Sequence, residues 1–438
     1  MEKYIEVKNF GKIEHAKIAY NGYTVFMGDN NSGKTYLMQL IYAVEKKLNG
    51  FNYKGKFVEL LEDKMSTSEP FQLHKDDMKL MIDDINIFLE NEKDKIIIDN
   101  FRKNINIDNL SIQTNIDELS VKVQNMDNYK TLFKQYEAKK YVEIESYITI
   151  DIMIGSERIS YITMSGKVDA ISLAQVIISD IFGVHNPLYL PASRAGIQLL
   201  YKDYFTARAD SQFYVSNEKT VDIKLTGPMY EYLRFLQRVE RNYNLEDYQV
   251  KLIEFIENNI IDGSIIIEDN NDVTYSQKNG VDKIPLYIVS SMISEVAPIV
   301  EMIQDRERHE HIFIDEVEAS LHPKKQREMA RLLNRIRNNG NSLLVSTHSD
   351  SMASYINNLL MASYRSIGDE ELESIQLQKE DLLVKPEIHF YEFRNKADGK
   401  SMVEQLEVKP YPGTGAEFTM FNDNIDKLFQ ETSEILGV

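Results

Sequence analysis

Residues 28–35 read Gly28-Asp29-Asn30-Asn31-Ser32-Gly33-Lys34-Thr35, a complete G-x-x-x-x-G-K-[ST] phosphate-loop pattern. The pattern carries weight when it joins a strand to a helix, and both flanks meet that condition. Upstream, Tyr23-Thr24-Val25-Phe26-Met27 is β-branched and aromatic, the composition of a buried strand. Downstream, Leu37, Leu40, Ile41, Val44 and Leu48 recur at helical spacing. Glycines let backbone N–H groups approach a phosphate, and the helix N-terminus adds about half a positive charge. Gly28, Asn30, Asn31, Ser32 and Gly33 are therefore expected to line the loop, with Lys34 reaching the β- and γ-phosphates. Thr35 is expected to place its hydroxyl on Mg²⁺, which prefers hard oxygen ligands. The ligand this arrangement predicts is a nucleoside triphosphate.

Far downstream, His311-Ile312-Phe313-Ile314-Asp315-Glu316 is a short apolar strand ending in two carboxylates, like a Walker B element. Asp315 is placed to hold Mg²⁺ through water. Glu316 is placed to orient or deprotonate the attacking water, a role worth roughly 10²- to 10⁴-fold in rate. The next strand, Ser342-Leu343-Leu344-Val345-Ser346-Thr347, delivers His348 to the same sheet edge, where an imidazole can hydrogen-bond a γ-phosphate. Between these strands, Met329, Leu332, Leu333 and Ile336 mark the apolar face of a helix. Arg327, Arg331 and Arg335 recur at steps of four on another face, read as solvated, with contact to phosphate backbone or an acidic partner as the alternative.

The bulk composition narrows the classes. At 438 residues, with 43% hydrophobic and 27% charged side chains, the chain is long enough for two or three domains and ordinary for a buried core. A formal charge of −19 excludes a surface that binds nucleic acid everywhere and requires any such contact to be focused. Cysteine is absent, which removes disulfides, thiolate metal sites and cysteine nucleophiles. The opening Met1–Val7 lacks the apolar core of a signal peptide, and Asp180 and Glu295 interrupt the longest apolar stretches. These features lead us to expect a cytoplasmic protein with no membrane partner.

With these residues placed, the chain resembles the ABC-type ATPase heads of the RecF, SMC and overcoming-lysogenisation-defect (OLD-like) group, in particular compact bacterial members linked to phage defence. Ile5–Ile13 is similar to the first strand and turn of such heads, Glu316–Pro323 to the segment joining the catalytic glutamate to the D-loop, and Val345–Ser349 to the switch-histidine strand. Pro187–Gly196 resembles a strand running into the Q-loop but has no glutamine at the turn, which leaves Ser193 and Arg194 as candidate γ-phosphate or coupling residues. Ile288–Ile299 is similar to the signature motif, in which a serine at a helix N-terminus touches the γ-phosphate bound by the opposite subunit. Ser290 and Ser291 are the candidates, and Met292 and Ile293 stand where the L-S-G-G-Q form has glycines.

The resemblance implies an α/β fold with a mixed β-sheet, an antiparallel β layer, a helical signature lobe and an inserted lobe. Residues 1–196 form the N-terminal ATPase lobe, with the insert at about 51–135. Residues 197–300 form the helical lobe and 301–438 the C-terminal ATPase lobe. Lys34 and Asp315 are about 280 positions apart with no sustained heptad between them, so the insert is a lobe and not a coiled-coil rod. Its short apolar segments, 78–82 and 95–98, are read as mixed helices and edge strands. Tyr141–Met164 alternates around Gly155-Ser156-Glu157 as a hairpin would. Helices are expected over Met229–Val239, Val250–Ile261 and Met352–Met361, with strands at Ile265–Ile267 and Ile388–Phe393. No appended nuclease pattern follows.

The implied activity is hydrolysis of ATP with Mg²⁺, by a homodimer closed around the nucleotide and serving an effector such as a nuclease or toxin. A RecF-like clamp binding DNA directly is the alternative, and an energy subunit for membrane transport a more remote one.

Overall fold

The computed structural model describes residues 2–49, 55–66, 70–127, 146–165, 168–182, 186–201, 225–239, 244–268, 272–278, 280, 282–365 and 367–436. Its centre is a nine-stranded mixed sheet. The strands run in the spatial order Asn109–Thr114, Lys3–Phe10, Ile13–Ala19, Ser401–Gln405, His389–Asn395, Tyr23–Gly28, Ser342–Thr347, His311–Ile314, Leu188–Leu190. The last five are mutually parallel. Register within this block is tight: Val25 pairs with Val345, Val345 with Ile314, and Ile314 with Leu190. The phosphate loop, Asp315 and His348 consequently leave the sheet at one C-terminal edge, where parallel α/β sheets place their ligands. The other edge turns antiparallel through Lys3–Phe10 and its two neighbours.

Alternation along the strands divides the core in two. Phe26 belongs to the apolar cluster on one face, with Leu37, Leu40, Ile41 and Val44 of the helix Lys34–Asn49. Val25 and Met27 belong to the cluster on the opposite face, with Met329, Leu332 and Leu333 of the helix Pro323–Asn338. Each fully buried Leu or Ile contributes about 1.5–3 kcal/mol, so both faces weld helices to the strands that carry the site.

On the first face, helices Lys56–Met65 and Lys75–Phe101 lead back to the central sheet through Asn109–Thr114. The apolar runs 78–82 and 95–98 both lie on that one 27-residue helix, so neither is an edge strand. A four-stranded antiparallel sheet follows, in the order Phe71–Leu73, Leu119–Asp127, Ser146–Ile154, Glu157–Ser165. Its last two strands are the expected hairpin, turning at Gly155, whose φ of 57° suits glycine. Residues 141–145 of that expectation lie outside the described residues.

The helix Gly227–Arg238 packs beside the last strand of the sheet, Leu188–Leu190, and joins the first-face helix through Lys46 and Glu231 at 2.9 Å. The second face carries Asp247–Ile256, which continues into a π turn at Glu257–Ile261. A three-stranded sheet over 263–285 then leads to the helix Ser291–Gln304. Beyond the strand His389–Asn395, expected over Ile388–Phe393, come a partner strand, Ser401–Gln405, and a further helix, Thr419–Leu436. No helix among the described residues is long and apolar enough to cross a membrane.

Candidate nucleotide-binding site

The loop is shaped by backbone conformations that its residue types permit. Gly28 has φ 125° and Gly33 φ 102°. A Cβ on Gly28 would lie 2.1 Å from the carbonyl oxygen of Phe393, so no other residue fits there. Asn31 takes φ 54°, a left-handed conformation that asparagine tolerates better than most residues. The strand His389–Asn395 closes the loop from one side. Asp29 N donates to Phe393 O at 2.9 Å, Asn395 N to Asp29 Oδ2 at 2.8 Å, and Asn395 Nδ2 to Asn30 O at 3.0 Å. Lys12 adds a bond to Asn31 O.

Lys34 opens the helix and is 4% exposed. Its ammonium donates to Gly28 O at 2.8 Å and Asp29 O at 2.7 Å, and lies 3.3 Å from His348 Nδ1. Burial pulls its pKa down to about 8, while Asp315, Asp29, Glu318 and Glu316 pull the other way. An arriving polyanion would reinforce the charged form.

Asp315 is the hub of the site. Thr35 Oγ1 donates to Oδ1 at 3.2 Å, Ser346 Oγ donates to the same oxygen, and Tyr189 Oη donates to Oδ2 at 3.1 Å. Three hydroxyls from three different segments thus fix one carboxylate that is itself 2% exposed. Glu316 follows with φ 48°, a left-handed backbone unusual for glutamate, and its N–H is held by Ser346 Oγ at 2.8 Å. This turn swings the Glu316 side chain out of the strand direction, and its Oε1 comes to 3.8 Å from His348 Nε2. His348 Nδ1 lies 3.2 Å from Gly28 O, and the His348 backbone N–H donates to Glu318 Oε1 at 2.6 Å.

Lys34, Thr35, Asp315, Glu316 and His348 are therefore brought to one place from three strand ends. The fit to Mg²⁺-nucleotide rests on this chain's own groups: a glycine cradle that a Cβ would fill, a buried lysine, and the hard oxygens of Thr35 and Asp315. Sequence reading missed Tyr189 and Ser346. Both lay inside strands already identified, and nothing in the local pattern marks a strand hydroxyl as a carboxylate partner.

The remaining candidates lie apart from the loop. Arg194 is buried and donates from Nε to Glu295 O at 2.9 Å and from Nη1 to Asp315 O at 3.0 Å and Pro191 O at 3.3 Å. Its Nε also lies 3.2 Å from Glu295 Oε2. It thereby bridges the start of the helix Ser291–Gln304 and the end of the Asp315 strand. Ser193 sits at the turn before it. Ser290 occupies the N-cap position of that helix without a side-chain cap bond, and Ser291 follows; both are exposed, beside exposed Tyr287 and Ile288.

The arginine stripe needs correction. Arg331 is buried, donating from Nε to Asp381 Oδ2 at 2.8 Å and from Nη1 to Glu328 Oε2 at 2.5 Å. Arg335 donates to Asp381 Oδ1 at 2.8 Å and stacks over Phe255, and Arg327 donates to Ile375 O at 2.7 Å. The stripe pins the segment 375–381 instead of facing solvent, because fully buried Asp381 must be paired.

A glycine-cradled lysine facing a strand-end aspartate across a parallel sheet defines a P-loop nucleotide-binding protein. The sequence comparison agrees: residues 1–169 and 210–353 match the model of the AAA ATPase domain, and the chain belongs to that family. Membership implies nucleotide binding, usually with Mg²⁺. No curated protein sequence matches the chain. Similar solved structures include an SMC head bound to the C-winged helix domain of ScpA, 13% identical, with 93% of this chain and 98% of that one covered and a TM-score of 0.38. The SMC head domain from Thermotoga maritima is 12% identical, with 93% and 99% covered and a TM-score of 0.34. An Smc head domain with an extended coiled coil, bound to the C-terminal domain of ScpA derived from Pyrococcus furiosus, is 11% identical, with 99% of both chains covered and a TM-score of 0.36.

Proposed function

We infer that this chain hydrolyses ATP as a homodimeric switch that controls a partner effector. The observation that carries the hydrolytic reading is the convergence on Asp315: the residues needed to hold a triphosphate and activate water meet, although some 280 positions separate them. Loop N–H groups and Lys34 hold the phosphates. Thr35 and Asp315 are the groups to hold Mg²⁺, which when bound screens phosphate charge and polarises the γ-phosphoryl oxygens. Glu316, directed outward by its left-handed backbone, takes a proton from the attacking water. His348 donates to the γ-phosphate and lies close enough to Glu316 to respond to the same event.

The dimeric part of the reading is supported by the exposed N-terminus of the helix Ser291–Gln304, whose Ser290 and Ser291 are free to meet an anion on a second copy. Arg194 links that helix to the backbone of Asp315, a route by which closure and chemistry can be coupled. An effector such as a nuclease or toxin, and a place in anti-phage defence, rest on the resemblance of the sequence motifs. The direct DNA-clamp reading has lost its arginine stripe to internal pairing.

Glu316→Gln tests the mechanism. Nucleotide should still bind, and steady-state turnover should fall at least about a hundredfold; unchanged turnover would remove Glu316 from this role.

A further inference from the structure

Between Asp315 and the helix Pro323–Asn338 two residues take a left-handed backbone, Glu316 (φ 48°) and Ser320 (φ 60°), and Glu318 lies between them. The segment is fixed along its length. Ala319 N donates to Glu316 O and Leu321 N to Glu318 O, each at 2.9 Å, while Val317 N donates to Ser346 O at 3.0 Å. Gln326 secures the far end, donating from Nε2 to Leu321 O at 3.1 Å and accepting from Ser349 Oγ at 2.7 Å. Residues 316–321 and the end of the His348 strand are therefore laced into one unit.

The Glu318 carboxylate divides its two oxygens. Oε1 accepts the His348 backbone N–H at 2.6 Å, and Oε2 is buried with no hydrogen-bond partner among the described residues. A buried carboxylate oxygen without a donor is costly, and at a site it points to something that arrives to bond it. The surroundings say what arrives. His348 holds Glu318 by its backbone, while its ring lies 3.8 Å from Glu316 Oε1 and 3.3 Å from Lys34 Nζ, so both glutamates meet the phosphate-facing groups at one residue. Burial lowers the Lys34 pKa, and among the carboxylates that oppose the fall Glu318 acts after Asp315 and Asp29 and ahead of Glu316. A carboxylate accepts hydrogen bonds and repels phosphate oxygens, which leaves water as the partner for Oε2.

We propose that Glu318 is a second catalytic carboxylate, whose Oε2 accepts a hydrogen bond from the attacking water while Glu316 takes that water's other proton. This inference rests on the hydrolytic reading given above. The water oxygen bonds to the γ-phosphorus as the bond from that phosphorus to the β,γ-bridging oxygen breaks, and the electron pair of the broken bond leaves with ADP. One water proton passes to Glu316 and then to solvent; the other, aimed by Glu318, stays on the released phosphate. With both hydrogens engaged, the water turns a lone pair toward phosphorus. Because Glu318 also holds the His348 N–H, one side chain sets both the water and the histidine that meets the γ-phosphate.

Glu318→Gln separates this role from a structural one. The amide oxygen keeps the bond to His348 N, and the amide nitrogen puts a donor of the same shape in place of Oε2. Single-turnover hydrolysis at saturating ATP should slow about ten- to a hundredfold, with ATP affinity by calorimetry and unfolding temperature unchanged. Two groups acting on one water are not independent, so Glu316→Gln/Glu318→Gln should fall within about threefold of Glu316→Gln alone. Full activity in Glu318→Gln, with loss only in Glu318→Ala, would reduce Glu318 to a support for His348 and overturn the proposal. A weakened ATP affinity, a raised Mg²⁺ requirement, or a double variant slowed by the product of the two single effects would overturn it as well. Unchanged turnover in Glu316→Gln would remove the hydrolytic reading and this one with it, whereas a slow Glu316→Gln beside a fully active Glu318→Gln would remove only this inference.

Discussion

Two helices of this chain present N-termini suited to an anion, and they are finished in opposite ways. The helix Lys34–Asn49 begins inside a closed structure: Ser32, Gly33 and Lys34 are buried, and the strand His389–Asn395 is laced to the loop by hydrogen bonds. The helix Ser291–Gln304 begins in the open, with Ser290, Ser291, Tyr287 and Ile288 exposed, while its later turns are buried to the last residue. One end is pre-organised by its own chain, where fixed dipoles cost no reorganisation. The other is rigidly mounted and, among the described residues, has no lid. The difference teaches that binding is a property of one copy, whereas anything done by the second terminus requires something from outside.

The largest expected effect breaks the finished end. Lys34→Ala should weaken ATP binding at least about a hundredfold by calorimetry, since it removes the buried cation that the proposed mechanism sets against the phosphates. An unaltered affinity would be fatal to the phosphate-loop reading. The pH dependence carries the same test. Because burial holds the Lys34 pKa down to about 8, the cationic form is lost as pH rises through that value. Wild-type affinity should decline above pH 8, and the decline should vanish in Lys34→Ala.

Next in size, Ser291→Asp places a negative charge at the open terminus. Turnover should fall about tenfold while the affinity of a single copy for nucleotide stays constant; equal losses in both would show that the two ends are not separate. Tyr189→Phe is smaller. Removing one of three hydroxyls on Asp315 is worth about 1 kcal/mol, so the Mg²⁺ concentration for half-maximal turnover should rise about fivefold with the fold unchanged.

The smallest effect concerns how firmly the open helix is mounted. Glu301 lies buried on that helix against Gln198, and burial raises its pKa to about 8. The folded chain therefore holds a proton there that the unfolded chain releases near 4.5, and stability from this group declines as pH rises from 4.5 to about 8. Glu301→Gln keeps the neutral shape. Its melting temperature should exceed that of the wild type by a few °C at pH 8 and match it below pH 4.5; a constant offset would assign the change to packing.

Legibility from sequence followed the range of the interactions. The strand, loop and helix over 23–48, the strands at 311–314 and 342–347, and the hairpin around Gly155 each carry a local period or turn residue, and the structure has them. The runs 78–82 and 95–98 were too short to be told apart as helix or edge strand by period alone, yet both continue one helix, whose later turns bury Ile96 and Ile97. Arg327, Arg331 and Arg335 looked solvated because steps of four identify a face but not what covers it. The covering residue, Asp381, is nearly fifty positions away.

From the order of residues alone came the chemical inventory: a phosphate loop, two carboxylates and a histidine at strand ends, a −19 charge and a chain without thiols. Only the tertiary structure decided that Tyr189 and Ser346 hold Asp315, that Arg194 ties the open helix to the same aspartate, and that the arginine stripe is internal. The physical reason is that period and composition report each residue's neighbours along the chain, whereas a buried carboxylate or guanidinium is paired by whatever segment the folded sheet brings beside it.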